Sequence, residues 1–447
     1  MYLGIGIDLG IKTTHEVVVL EPGSQQPKAV FRCGHSRQEL EEMLDRVQAG
    51  LPEGTELRFV MEPTDTAWVP VACFLLDKGH TVYLVKSEMV KDQRKVLKKY
   101  AKTDELDGTT LAKLPWIVPE ALNKLLPREP RLETLRRRVK QAHKLSRDIT
   151  RRQLRIQALV RLALPVGLGK LDLFSKAGQA LCTGCLDPQG VLRMGVNRLT
   201  ESLLHVAGHK AGTDAASVWF LACSEAVKLY GTNAPVDYED LQDECDMEFQ
   251  ALGLEQEQLS KVHERIHALY LELHPSRNLE TLYGVGPFVA AASVAAIGNP
   301  QRFANSRKFR AFTGMIPKVS SSGQTDSKST QLSKAGPNWL KRALYIAAEI
   351  GRQYDPQLAK IYYDQVVKYG HHHRHAICAV ASHLADRIFV VYRIDKPYEL
   401  RDLEGKPISP RDARAYIQAH LTVPEGVRKR LRHQNKGKHR PRGIRAS

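Results

Sequence analysis

No stretch of this 447-residue chain stays apolar long enough to cross a bilayer. The longest nearly apolar run, Val285 to Ile297, falls short of the ~20 residues that a spanning helix needs. The amino end has neither the basic start nor the unbroken apolar stretch of a signal peptide, because Asp8 interrupts it. Seven scattered cysteines make no even disulfide framework and no secreted-domain pattern. Acids are in deficit: 49 aspartates and glutamates face 66 lysines and arginines, a net charge of +17. That excess points first to nucleic acid or an anionic membrane face as the partner. A soluble intracellular protein is the expectation.

What is present is globular. A hydrophobic fraction of 43% with 26% charged residues excludes wholesale disorder, and the length calls for two or three domains. Residues 1 to about 115 read as strands at Tyr2 to Asp8, Glu16 to Leu20 and Lys28 to Arg32. A helix over Arg37 to Gln48 follows, then strand Leu57 to Met61, helix Trp68 to Leu76, strand Thr81 to Val85 and two more helices. This order predicts a mixed sheet with helices on its faces. The block carries 15 basic and 17 acidic residues, so the basic excess lies elsewhere.

Two long helices are predicted next. Arg131 to Arg161 holds eleven basic residues against Glu133 and Asp148, with Leu135, Val139, Ala142 and Ile149 at three-four spacing. Asp237 to Leu273 holds eleven acids against Lys261 and Arg265, with Leu259, Val262, Ile266, Leu269 and Leu273 as its seam. Opposite charge favours pairing of the two seams, within one chain or between copies; two solvated amphipathic helices explain the charges equally well. Residues 165–235 between them read as a Gly-punctuated helical insertion. Residues 278–400 form a compact, motif-rich block. Gly426 to Ser447, with nine basic residues and no acid, reads as a tail that stays unfolded until it meets a polyanion.

Four carboxylates stand out. Asp8 and Glu62 end apolar strands, and Asp104 and Asp107, three apart, share one helical face. Brought together they would repel unless cations neutralised them. Hard oxygen ligands suit Mg²⁺, and two such ions can clamp the attacking and leaving oxygens of a phosphoryl displacement. Taken singly, each acid could be a helix cap or a surface charge, Asp104 above all. Gly6-Ile7-Asp8-Leu9-Gly10 before Lys12-Thr13-Thr14 also resembles the first phosphate loop of sugar kinases and Hsp70-type ATPases. Such kinases need a Gly-Gly adenosine contact, and no Gly-Gly pair occurs in the chain.

In the carboxy-terminal block, Leu282-Tyr283-Gly284-Val285-Gly286-Pro287 before an alanine-rich helix looks like a helix-hairpin-helix, whose glycines (Gly284, Gly286) let backbone approach a sugar-phosphate chain. Ala311-Phe312-Thr313-Gly314-Met315-Ile316-Pro317 leads into Ser320-Ser321-Ser322-Gly323, which by spacing alone is a flexible loop. Ser333-Lys334-Ala335-Gly336 and Lys341-Arg342 follow.

Together these motifs resemble the insertion-sequence transposases of the DEDD class, the bridge-RNA-guided recombinases. The resemblance covers roughly residues 1–115 and 278–390. It implies an α/β plus all-α architecture: an RNase H-like (RuvC-like) domain over 1–115, a helical and coiled-coil region over 116–277, a serine transposase domain over 278–400 and a basic extension over 401–447. It also implies a serine nucleophile that holds DNA through a phosphoserine link while Mg²⁺ on Asp8, Glu62, Asp104 and Asp107 assists. In the family the serine precedes a glycine, which selects Ser322, although Ser320 and Ser321 adjoin it. The implied partners are donor and target DNA, a structured guide RNA and further copies of the chain, as a dimer or tetramer, with no membrane. The implied location is cytoplasmic and nucleoid-associated.

Phosphate contacts are expected from Arg136, Arg137, Arg138, Lys140, Arg151 and Arg152 on the basic helix. Lys334, Lys341 and Arg342, and the turn at His372, His373 and Arg374, extend the set. Cys182-Thr183-Gly184-Cys185 has the spacing of half a zinc site, but no second pair follows at suitable spacing, so a structural role is favoured. The rivals are a hydrolytic two-metal nuclease or junction resolvase with a structural serine loop, and a non-enzymatic nucleic-acid-binding protein.

Overall fold

The computed structural model describes residues 2–96, 104–127, 129–231, 234–316, 321–322, 325–326, 333 and 335–437; among these, the side chains of 94–96, 104, 321–322, 325–326 and 432–437 are outside the description. The chain divides into two compact units, Met1–Glu129 and Pro130–Ser447.

In the first unit the elements fall where the periodicity predicts them. They are β1 (Tyr2–Asp8), β2 (His15–Leu20), β3 (Ala29–Cys33), α1 (Arg37–Gln48), β4 (Glu56–Met61), α2 (Trp68–Asp77), β5 (Thr81–Leu84), α3 (Ser87–Val96) and α4 (Asp104–Ile117). The sheet order is β3-β2-β1-β4-β5, antiparallel from β3 to β1 and parallel from β1 to β5. Helix α1 starts at a capping box in which Ser36 and Glu39 satisfy each other's backbone N–H groups. Strand alternation sorts the two faces of the sheet. Leu3, Ile5 and Ile7 of β1 pack with Leu40, Met43 and Leu44 of α1 and with Val71 and Leu75 of α2. The opposite face, with Val18 and Leu20 of β2 and Val60 of β4, receives Leu111, Ala112 and Leu114 of α4.

The second unit is helical. Its elements are α5 (Pro130–Ala163), α6 (Lys176–Cys182), α7 (Pro188–Met194), α8 (Val196–Ala207), α9 (His209–Tyr230), α10 (Tyr238–Leu273), α11 (Pro287–Ile297), α12 (Ser306–Thr313), α13 (Asn338–Gly351), α14 (Pro356–Tyr363), α15 (His373–Ile394), α16 (Pro410–His420) and α17 (Glu425–Gly437). The two seams pair within the chain. Leu135, Val139 and Ala142 of α5 join Val262, Ile266 and Leu269 of α10 in a core shared with α11 to α15. At the other end, Ile156 and Val160 of α5 and Leu241 and Phe249 of α10 form a second core with α6 to α9, so the Gly-punctuated insertion is a helical cap on that end of the pair. Charge cements the pairing: Arg152 meets Glu248 and Glu255, each at 2.7 Å, and Arg131 meets Glu272 at 3.5 Å.

Two expectations need correction. The basic stretch from Gly426 is not unfolded throughout: residues 425–437 are helix α17, because Val427 and Leu431, four apart, pack on the main core. Residues 438–447 lie outside the described set. Nor is the serine segment wholly a loop, for Ser321–Ser322 forms a two-residue strand pairing antiparallel with Thr325–Asp326. Among the described residues no helix is long and apolar enough to cross a membrane.

Candidate catalytic site and nucleic-acid interface

The acids of the first unit are organised by the α4 face of the sheet. Because Leu3, Ile5 and Ile7 point to α1 and α2, alternation turns Gly4, Gly6 and Asp8 toward α4. Strands β1 and β4 run parallel with Gly6 opposite Val60 and Ile7 opposite Met61. Carried one residue further, this register sets Asp8 and Glu62 side by side at the strand ends, roughly 4.8 Å apart along the sheet.

Helix α4 lies unusually close to β1. A Cβ on Gly4 would sit 2.1 Å from the Ala112 carbonyl oxygen, and one on Gly6 would sit 2.0 Å from that of Gly108. Two strand residues advance ~6.6 Å and four helical residues ~6 Å, so the two levels climb together. The next pair in the series is Asp8 and Asp104, with Asp107 beside Gly108. Glycines at 4 and 6 thus set how closely the backbone of α4 approaches that of β1.

Glu62 accepts a hydrogen bond from the Ser87 hydroxyl at the start of α3. Sequence reasoning missed Glu16, which is paired directly with Asp8 across β1 and β2. Its side chain is 15% exposed and meets Arg32 at 3.3 Å, so it is held beside Asp8 by a cation on β3. The signal that could have found it is the antiparallel return of β2, which fixes the residue opposite a strand-terminal acid. Among the described residues no three ligating side chains already converge on one point. A donor set made only of carboxylate oxygens is chemically of the kind that divalent cations take.

In the second unit, the described residues on either side of the serine segment are held together by two glycines. Gly314, at φ +71°, ends α12, and a Cβ there would lie 1.9 Å from the Ala335 carbonyl oxygen. Gly336, at φ +78°, returns the contact, since its Cβ would lie 2.4 Å from the carbonyl oxygens of Phe312 and Thr313. Both positions need left-handed backbone and close approach, so only glycine fits. Ser333 N–H donates to the Ile316 carbonyl at 2.9 Å, and Lys341 Nζ donates to the Ser333 carbonyl at 3.3 Å. Ser322 is ladder-paired with Thr325, and Ser321 with Asp326. Ser320 and Lys334 lie outside the described residues.

The expected phosphate contacts divide into two groups. Arg136 is turned inward: its Nε donates to the Ala295 carbonyl at 3.0 Å and its guanidinium meets Glu133. Arg152 is likewise engaged by Glu248 and Glu255, whose hydrogen bonds raise its pKa against the cost of burial. Both arginines therefore tie helices together. Arg137, Lys140, Arg151 and Arg342 are exposed; Arg138 is half-buried and donates to Gln141. Arg342 of α13 and Arg147 of α5 flank His143, which burial and these two cations hold below its ordinary pKa, so α5 and α13 present one basic surface. His372 caps α15 by accepting from the Arg374 N–H, and His373 bridges the Tyr362 hydroxyl (2.8 Å) and Glu349 (3.3 Å). Gly284, at φ +86°, serves internal packing, with the Ala347 carbonyl oxygen 2.2 Å from its would-be Cβ; Gly286 has nothing within 4 Å. Cys182, Cys223 and Cys245 are buried in the second helical core, where desolvation raises their thiols above the ordinary range.

Comparison with known proteins bears on both units. A transposase model of the IS110 DEDD type matches residues 5–165, the span that carries Asp8, Glu62, Asp104 and Asp107. A model described as transposase of the IS116/IS110/IS902 family matches residues 276–363, the span that carries Gly284, Gly286, Ser322 and Arg342. The chain is also similar to the transposase for insertion sequence element IS1328 of Yersinia enterocolitica, 28% identical over 141 residues. That similarity covers 30% of this chain and 41% of the relative's length. With one model on the acid-bearing sheet and the other on the serine-bearing helical block, in that order, the chain belongs to the IS110 family of DEDD transposases.

Proposed function

We propose that this protein is an RNA-guided DNA transposase that cuts and rejoins strands through a covalent phosphoserine at Ser322. What supports the proposal is the backbone arrangement of β1, β4 and the close-packed α4, whose register, continued past its last pairs, leads to Asp8, Glu62, Asp104 and Asp107. These carboxylates would hold Mg²⁺, which supplies charge stabilisation for oxygens in transit at phosphorus. The Ser322 hydroxyl attacks a DNA phosphate, gives up its proton to a base and displaces one strand as a free hydroxyl. Attack by another strand's hydroxyl then restores the phosphodiester and returns the serine, so bond energy is conserved. Serine is a weak nucleophile and needs activation; no His, Asp or Glu stands immediately before it in the sequence. The acids of the first unit supply that activation, in one chain or across copies of a dimer or tetramer joined through coiled-coil helices.

The basic surface of α5 and α13, with Arg137, Arg138, Lys140, Arg151 and Arg342, neutralises the phosphates of donor and target DNA and of a guide RNA whose base pairing selects the sites. Lys334, Lys341, Gly286 and the turn at His372 to Arg374 add further phosphate contacts, and the protein acts in the cytoplasm on nucleoid DNA. The test is denaturing gel electrophoresis of the protein with labelled DNA and Mg²⁺. Wild type should carry a covalent DNA adduct that Ser322→Ala and Asp8→Ala both lose. Free ends without attached protein would instead establish a hydrolytic two-metal nuclease.

A further inference from the structure

A cavity of about 400 Å³ lies in the second unit, between the end of α13, α14, α16 and α17. Its chemistry is specific. Three guanidinium groups, Arg352, Arg414 and Arg428, line it together with two aromatic rings, Tyr354 and Tyr362, over an aliphatic floor, and no carboxylate is among the lining residues. Arg352 lies 4.1 Å over the Tyr362 ring and its guanidinium is held by Glu349. His373 in turn joins Glu349 to the Tyr362 hydroxyl. This network makes a rigid wall from one arginine and one tyrosine. Arg414 and Arg428 are exposed at the mouth, and their positive charge has no acidic partner among the cavity's own residues.

Tyr354 links this cavity to the glycine turn. Its ring stacks on Tyr283 with centroids 5.7 Å apart and planes 15° apart, and Tyr283 adjoins Gly284. Residues Glu280 to Gly286 line a second, shallower hollow on that side. A chain lying along the Gly286 turn would therefore find a flat aromatic step and then a cation-rimmed cavity.

We infer that this cavity receives one unpaired nucleotide of a single strand bound by the protein, with the base replacing the Arg414 guanidinium that lies 5.9 Å over the Tyr354 ring and the phosphate between Arg414 and Arg428. The inference rests on the reading that the protein handles nucleic acid. Planar rings take a base face, guanidinium groups take phosphate, and an acid-free lining admits an anion. The size selects a single nucleotide over a duplex, since small-ligand pockets run ~300–1,000 Å³. Such a pocket stabilises strands at the moment they are open.

The test is fluorescence anisotropy with labelled single-stranded DNA and RNA oligonucleotides carrying 2-aminopurine, against a blunt DNA duplex of the same sequence. Tyr354→Ala and Arg414→Gln should each weaken single-strand binding about 10-fold, the scale of losing one stacked base or its cationic partner, with duplex affinity unchanged. The wild-type protein should quench 2-aminopurine and Tyr354→Ala should not. Tyr354→Phe should behave as wild type. If Tyr354→Ala lowers the melting temperature, Arg414→Gln on the exposed face of α16 decides alone. Equal losses on duplex and single strand, or no loss on either, overturn the inference. So does a free nucleoside monophosphate that competes as well as the strand does. A protein that forms the serine adduct but shows none of these differences loses the pocket and keeps its transposase reading; one that shows them without an adduct does the reverse.

Discussion

The closeness of α4 to β1 can be tested by adding a single methyl group. In Gly6→Ala the new Cβ would lie 2.0 Å from the Gly108 carbonyl oxygen and 2.7 Å from the Ala112 N–H nitrogen. Ordinary contact begins near 3.4 Å, so the helix must retreat by about 1.4 Å, the difference between 3.4 and 2.0 Å. The opposing atoms are backbone on both sides and cannot swing away as a side chain would. Overpacking of this kind costs ~1–3 kcal/mol, and the rigid neighbours argue for the upper half of that range. The same retreat carries Asp104 and Asp107 away from Asp8 and Glu62, and a displacement of about 1 Å at reacting groups lowers rates on the order of 100-fold. Denaturant midpoints and Mg²⁺-dependent DNA cleavage should therefore both fall, cleavage far more than the residual folded fraction accounts for. Gly253→Ala is the control. Nothing lies within 4 Å of its Cβ in the middle of α10, so it should stabilise by ~0.5–1 kcal/mol and leave cleavage unchanged. If Gly6→Ala folds and cuts like wild type, the acid corner does not depend on this contact and the account of the site is wrong.

Three further outcomes follow from the geometry. His15 is 1% exposed beside His35, and burial, then that neighbour, holds its pKa at about 4 from an ordinary 6.5. Below pH 6.5 the unfolded chain binds a proton that the folded chain refuses, so stability falls from pH 6.5 toward pH 4, by on the order of 3 kcal/mol. His15→Leu should flatten that slope in denaturation curves taken across the window. Arg152→Ala leaves Glu255 of α10 without the cation it meets on α5, while Arg155 still meets Glu248 at 3.2 Å, and should lower stability by about 2 kcal/mol without changing the salt dependence of DNA binding. Arg342→Ala should do the opposite, removing about one unit of the logarithmic salt slope with little change in melting temperature.

Much of the first unit was legible in the chain itself. Period-two alternation in Leu3, Ile5 and Ile7 and period-3.6 spacing in Leu40, Met43, Leu44 and Val47 locate β1 and α1, because each pattern matches only one backbone geometry. The long seams of α5 and α10 were legible for the same reason, and their opposite charges favoured the pairing of the two helices. The motifs around Asp8, Glu62, Ser322 and Gly336 were legible as a series in order. Glu16 was not, because it becomes a neighbour of Asp8 only when β2 folds back. Arg136 and Arg152 read as phosphate ligands for a like reason: a basic helix does not disclose which of its faces will meet carbonyls and carboxylates.

Local periodicity, charge and glycine placement thus determined which segments are strands and helices and which residues are chemically able to act. They follow from interactions within a few residues, which any linear stretch records. Only the tertiary structure decided that the backbone at Gly314 meets that at Gly336, that Val427 and Leu431 dock the basic tail as a helix, and that Arg352, Arg414 and Tyr354 surround one cavity. Those pairings join residues separated by tens of positions. They arise from packing of whole elements, whose partners no short window of sequence specifies.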